Sequence, residues 1–448
     1  MRLLTPLPCI GSRPRWFGQL PYFRGLIPIF LLTLFAGGCA SSISVMQRRE
    51  AAQPAIALLQ AGRFDEAARA ADQVLHADAK NPQAHLVAAL TSYKAAAHQF
   101  SSDIRTIPLQ VLSRSFNHQY LRFTLEKTAT ALSGVEAHLA VAAAAPWVDL
   151  ELCLACWQVD WNHNGRVDDG DQRLLEIEVD ESGEELPDGD PRRRPTFRFD
   201  LGDVYWARAM IAFQRAVLEI LQAWHWEEVD KIFARIEHEE DATITLRLGS
   251  KRRITGAREL ILDGLAHSDR ARREYLAEND DDREWVPSPR QKNHPMPLPV
   301  DDALYRTWEE LTGDLRRLVS GEEGLDVAEL AQLGGHRWEN PPRGFIDVGR
   351  LLSDPSDIVI PLKHASKAVQ EASEEALRSL FGRTYVPTMR PTPMLRRLAR
   401  MLPGFASLPR PSMPATENSR PLYAPLSTAF SAATCAPMLA ASTSRIAS

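Results

Sequence analysis

The sequence predicts an all-α protein, a helical hairpin packed on a larger helical body with one polar, glycine-centred loop set between helices. Three observations carry this expectation. Apolar residues recur at helical spacing in segment after segment from Ala51 to about residue 381. No region alternates apolar and polar residues over a useful length, so a substantial sheet is not expected. Turn formers such as Gly62 and Asn81-Pro82 fall between the periodic segments. The 448 residues, 44% apolar and 25% charged, suffice for a sizeable core in two or three domains.

The N-terminus reads as an address. Residues 1–24 carry Arg2, Arg13, Arg15 and Arg24 and no acid, the apolar run Gly25–Phe35 follows, and Ala36, Gly37 and Gly38 precede Cys39. That order is the order of a secretory signal. The run is short for a bilayer and contains Pro28, which disfavours a permanent transmembrane helix. Ala36-Gly37-Gly38-Cys39 resembles the lipobox of bacterial lipoprotein precursors, with Ala36 where leucine is usual and Gly37 where alanine or serine is commoner. The resemblance implies removal of residues 1–38 and a diacylglycerol anchor on the Cys39 thiol, tying the protein to a membrane. Ordinary cleavage nearby is the alternative. Ala40 follows the cysteine in place of the aspartate that retains enteric lipoproteins in the inner membrane. An outer-membrane lipoprotein facing the periplasm or cell surface is therefore implied.

Residues 39–105 hold the anchor and the first helices. Ile56, Leu59, Phe64, Ala67, Ala71, Val74 and Leu75 recur at helical spacing around a turn at Gly62. Leu59, Gly62, Phe64, Ala67, Ala71, Leu75, Asn81-Pro82 and Ala84 together resemble a tetratricopeptide repeat, which implies a protein partner bound through these helices. Only one repeat is clear, and arrays usually need three to bury their faces, so the hairpin must pack on helices later in the chain. Residues 106–199 continue as helix through the alanine-rich Leu139–Ala145, then a loop at 160–171, then Glu176–Pro195, acidic and then basic at Arg192–Arg194, expected as an exposed connector. In residues 200–388 Asp200 is expected to cap a long amphipathic helix. Further helices are expected around 256–279, 301–319 and 364–381. From 389 to 448 Pro, Ser, Ala and Arg dominate, with a brief apolar period around Met394–Phe405, and this tail is expected to be disordered.

The loop carries the sharpest motif. Asp160-Trp161-Asn162-His163-Asn164-Gly165-Arg166-Val167-Asp168-Asp169-Gly170-Asp171 resembles an EF-hand calcium loop. Calcium is a hard cation that needs six to eight oxygens. The resemblance assigns these to Asp160, Asn162, Asn164, the Arg166 carbonyl, Asp168 and Asp171, with Gly165 at the sharp bend and Val167 anchoring the loop to the core. Val148–Trp157 and Gln172–Glu178 are the expected flanking helices. Asp171 replaces the usual glutamate, as in dockerin-like loops, and two asparagines lower the charge. The bland alternative is a polar turn that binds no metal. A single loop argues for structural stapling rather than signalling.

Other constellations are weaker. Cys153-Leu-Ala-Cys156 has redox spacing but lies in an expected helix, so buried thiols or a simple disulfide are the plainer reading. Glu274–Trp285 concentrates carboxylates and an aromatic; it suits a cation or a sugar, or is a solvated helix end. No nucleophile elbow or phosphate loop is present. Cationic residues gather in the first 38 residues and from Arg390 onward, so within a net charge of −6 the body between is strongly acidic. Such a body disfavours nucleic acid and suits divalent cations or basic partners. The leading expectation is a calcium-binding, lipid-anchored envelope scaffold. The rivals are a carboxylate-based periplasmic hydrolase of glycans, with residues around Asp280–Trp285 in its cleft, and a dockerin-like adhesion module.

Overall fold

The computed structural model describes residues 44–105, 117–161, 165–173, 175–180, 182, 184–228, 243–280, 283–292, 294–295, 300–333, 344–361, 378 and 382–401. The expected signal, Cys39, most of the helix at 364–381 and the tail beyond 401 lie outside these residues. The chain divides after Arg48, so that residues 44–48 are the described part of the first unit and the other described residues belong to the second.

The protein is mostly helical, as expected. Helices α1 (Val45–Gln60) and α2 (Phe64–Ala77) form the hairpin around Gly62, and α3 (Pro82–Ile104) and α4 (His118–Ala143) continue it. A short β1 (Leu150–Leu152), a 3₁₀ turn and the five-residue α5 (Asp169–Arg173) come next. Then come β2 (Phe197–Phe199) and the long pair α6 (Leu201–Gln222) and α7 (Lys251–Ala277), with β3 (Thr243–Leu246) between them. The chain goes on through α8 (Asp302–Ser320), β4 (Leu325–Asp326), α9 (Val327–Leu333), β5 (Phe345–Ile346), α10 (Val348–Ser353), β6 (Ile358–Pro361), β7 (Tyr385–Val386) and α11 (Met394–Met401). Among the described residues the strands make three small antiparallel sheets, β1–β2, β3–β6 and β4–β5–β7.

Local chemistry sets the helix ends. Asn81 caps α3, with Pro82 at the first helical position where a missing N–H is harmless, and its side chain accepts the Ala84 N–H at 3.1 Å. Asp200 caps α6 as expected, in a reciprocal box with Asp203. Helix follows helix in packing order: α2 on α3, α3 on α4, α4 on α6, α6 on α7, α7 on α8. One buried cluster accordingly runs from Ala52 in α1 through Leu125, Leu132 and Leu139 in α4 to Leu218, Tyr275 and Tyr305, so the hairpin does share a core with the later helices. Residues on both sides of positions 105 and 199 contribute to this cluster.

Between α3 and α4 two histidines meet. His85 Nε2 lies 3.0 Å from the Ala79 carbonyl, so it donates there, and its Nδ1 accepts from His138 Nδ1 at 2.9 Å. Burial, and then the neighbouring His85, hold His138 below the usual imidazole range. The unfolded chain therefore takes up a proton that the fold resists. Stability is fully present above about pH 6.5 and is lost as the pH falls below it. Melting curves at pH 7.5 and 5.0 should show a larger loss in the wild type than in His138→Gln; an equal or larger loss in the variant would count against this assignment.

Four expectations are corrected. Val148–Trp157 is not a helix but β1, paired with β2, leading into a 3₁₀ turn at Leu154–Cys156. The pull comes from alternation that is too short to see in the sequence: Leu150 and Leu152 point inward and Glu151 outward. The expected exit helix, Gln172–Glu178, is a short helix one turn earlier, at Asp169–Arg173. The stretch Glu176–Pro195 is not simply exposed, since Ile177 and Leu186 are buried with Phe197 and Trp285. Finally, residues 389–401 belong to the fold. The Gly324 N–H donates to the Arg390 carbonyl at 2.9 Å, and α11 docks Met394 and Leu395 on Leu318.

Candidate functional site

The loop is entered from β1. The chain passes the Cys153–Cys156 disulfide and buries Trp157 and Val159 before reaching Asp160. Trp157 stacks edge-on against Phe64 with ring centres 5.1 Å apart, which ties the loop to the α1–α2 hairpin. Asp160 Oδ2 accepts the Gly165 N–H at 2.8 Å, and Gly165 takes φ +90°, a bend that favours glycine. Asp171, 3% exposed, closes the loop: Oδ1 accepts the Trp161 N–H at 2.9 Å and Oδ2 the Asp168 N–H at 3.1 Å. Start and end of the loop are thus held by one buried carboxylate.

Of the expected ligand set, Asp160, Arg166, Asp168 and Asp171 lie in the described loop, and Asn162 and Asn164 lie outside the described residues. Val167, expected as the loop's apolar anchor, is exposed. Without an entering helix the anchor shifts upstream, to Trp157 and Val159. The cysteine pair is a disulfide, the plainer of the expected readings, although a strand and not a helix delivers it.

A second group of acids gathers where the start of α6 meets the end of α7. Asp200 Oδ1 accepts the N–H groups of Gly202 at 2.6 Å and Asp203 at 3.4 Å. Asp203 Oδ2 accepts the Asp200 N–H at 2.9 Å, and its Oδ1 the Tyr275 hydroxyl at 2.7 Å. Tyr275 can lie there because residue 202 is glycine: a Cβ at that position would fall 2.6 Å from Tyr275 Cε1. Glu278 is the residue that ends α7, and Glu284 comes up from the following loop, whose backbone bridges to Arg198 in β2. One carboxylate oxygen each from Asp200, Glu278 and Glu284 lie within 4.8 Å of one another.

The electrostatics are those of crowded acids. Burial first, then the hydrogen bond and charge of Asp200, push the Glu278 carboxyl up to about 10. Burial and the charge of Asp200 push Glu284 up to about 7, against the pull of Arg198. Asp203 is raised by burial and by Asp200, and burial followed by the Asp203 charge raises the Tyr275 phenol. Arg198 also holds Asp149 at 3.3 Å and Asp280 at 3.4 Å. Gln291 Nε2 donates to Glu278 Oε2 at 3.3 Å.

Perturbed carboxyls often mark catalysis. Here Glu284 is 1% exposed and Trp285 4%, too little for either to grip a glycan. Asp281 and Asp282 lie outside the described residues. A separate charged concavity between α7, α8 and α11 includes ion pairs in its lining, Arg316 with Asp269 at 2.6 Å and Arg397 with Asp314 at 2.8 Å among them. Sequence reasoning named Asp200 as a cap and the 274–285 stretch as acidic, and missed that they converge. The signal was available in the lengths of α6 and α7, since an antiparallel pair of long helices brings the start of one beside the end of the other. Among the described residues no helix is long and apolar enough to cross a membrane. Comparison of the chain with protein-family models, with curated proteins and with solved structures gave no significant match.

Proposed function

We propose that the protein is a lipid-anchored scaffold of the cell envelope whose helical body is braced by a calcium ion held in the loop 160–171. The observation that carries this reading is the closure of the loop, with the Gly165 N–H on Asp160 and the buried Asp171 joining Trp161 to Asp168. Carboxylates at the two ends of a glycine-bent loop are what a hard cation requires, and extracellular calcium is plentiful enough to fill a site of modest affinity. The Cys153–Cys156 disulfide fits a compartment outside the cytosol, in keeping with the signal and with lipidation at Cys39. A brace here would fix Trp157 against Phe64 and so stiffen the hairpin that presents a surface to a protein partner. The acidic body favours a basic partner over nucleic acid.

Calcium titration of the full chain in detergent tests the reading, with Trp157 and Trp161 as fluorescent reporters and as sensitisers of terbium emission. Asp160→Ala should abolish one equivalent of binding and the rise in melting temperature that goes with it. Binding that is unchanged in Asp160→Ala would refute a calcium role for this loop.

A further inference from the structure

We propose that Asp200, Glu278 and Glu284 form a second divalent-cation site, for a hard ion of calcium's size, that locks the start of α6 to the end of α7. The geometry is that of a half-built coordination sphere. Calcium sits 2.3–2.6 Å from each oxygen, so ligands on opposite sides of one ion are up to roughly 5 Å apart. Oxygens within 4.8 Å of one another therefore fit around a single ion with small side-chain shifts. The donors are all carboxylate, with no imidazole or thiolate, which selects a hard cation over zinc or copper.

A second observation, independent of the clustering, points the same way. Glu284 is 1% exposed, and its Oε2 is buried with no hydrogen-bond partner. A carboxylate oxygen removed from water and left unpaired is destabilising unless something cationic meets it. Arg198 attracts Glu284 but is shared with Asp149 and Asp280, so one arginine serves several acids there. Asp200 and Glu278 each contribute one of the clustered oxygens. Both are half-buried rather than sealed, leaving a way in, while Gln291 on Glu278 and the Asp203 box on Asp200 orient the ligands from behind. The site would staple the α6–α7 pair to the segment bearing Trp285, far along the chain from the loop at 160–171.

The test uses the full chain in detergent with Asp160→Ala as background, so that the first loop does not contribute. Calcium alone is the probe, read as bound metal after equilibrium dialysis and as the melting temperature with calcium or with EDTA. The expected result is one bound ion and a calcium-dependent rise in melting temperature, both lost on adding Glu284→Gln. In EDTA the Glu284→Gln protein should melt no lower than its parent, because a buried acid crowded by other carboxylates is gone; with calcium it should melt lower. That inversion of sign is not expected of a residue that only packs. Glu278→Gln, at a half-buried position, should likewise lose the bound ion and the calcium-dependent rise should Glu284→Gln fail to fold. No ion bound by the Asp160→Ala protein in millimolar calcium, or an ion that survives both glutamine substitutions, overturns the proposal. Neither result bears on the loop, whose equivalent is the one lost with Asp160.

Discussion

Gly349→Ala should lower stability by about 3 kcal/mol, the upper end of the usual range for overpacking. Gly349 sits in the first turn of α10, behind the Asp347 cap, and faces the end of α8. A Cβ there would lie 2.3 Å from the Gly321 nitrogen, 2.4 Å from its Cα and 2.9 Å from the Ser320 carbonyl carbon. These are backbone atoms, and no rotamer change moves them aside. Nor can the end of α8 retreat easily, because Gly321 is the left-handed cap of that helix, with φ +83°, and the next two N–H groups are bonded to the Arg317 carbonyl. Separating the helices would open the cluster in which Val319 and Leu352 are buried with Trp224 and Ile254. Calorimetry should show a fall of several degrees for Gly349→Ala and little change for Leu351→Ala, whose side chain is exposed on the same helix. Equal melting temperatures for Gly349→Ala and the wild type would show that α8 and α10 are not held this close.

How much of this was legible in the sequence depended on the range of the interaction. The helix starts were plain, because caps act within three residues: Asp200 before an apolar stripe and Asn81-Pro82 both mark the helices they begin. The hairpin turn at Gly62 was plain for the same reason. β1 was not, since three residues cannot show a period, and its partner Phe197–Phe199 lies more than forty residues on. The mistaken helix there then misplaced the loop's anchor at Val167, when Trp157 and Val159 fill that role. Segments with mixed charge also misled. Arg192–Arg194 among acids looks solvated until the pairings are known, and the cationic start of the tail looks free until Arg397 is seen on Asp314 and Glu310. Of the candidate sites, the loop was readable because its ligands are consecutive. The Asp200–Glu278–Glu284 group was much fainter, because it depends on which helices lie side by side, and the lengths of α6 and α7 were its one trace.

The Arg193–Glu176 pair shows how much a misjudged segment can contribute, and its loss should be the second large effect. Arg193 Nη2 lies 2.8 Å from Glu176 Oε2, and their side chains are only 8% and 6% exposed. Arg193 also meets Asp188, and its carbonyl accepts the Ile177 N–H at 3.0 Å, so one residue draws together both arms of the connector. What they close over is apolar: Ile177 and Leu186 lie on Phe197 and Trp285, whose rings meet edge-on at 4.8 Å. Arg193→Met leaves Glu176 with Arg194 alone, which is half exposed. Breaking a buried pair on one side costs about 3–5 kcal/mol, and the remaining arginine places the expected loss near the lower figure, about 3 kcal/mol. Removing both charges is different in kind. Arg193→Met with Glu176→Leu strands no ion, so the double variant should recover most of the loss, with a coupling energy of about 2 kcal/mol or more in the cycle. Urea unfolding gives the global figures, and hydrogen exchange at the Ile177 and Leu186 amides, bonded to Arg193 and Glu178 respectively, gives the local one. Faster exchange at both amides in Arg193→Met, slowed again in the double variant, is the expected pattern. Exchange that stays slow while global stability falls would mean that the connector is held by its apolar face on Trp285, and that the ion pair stabilises the body without fastening it.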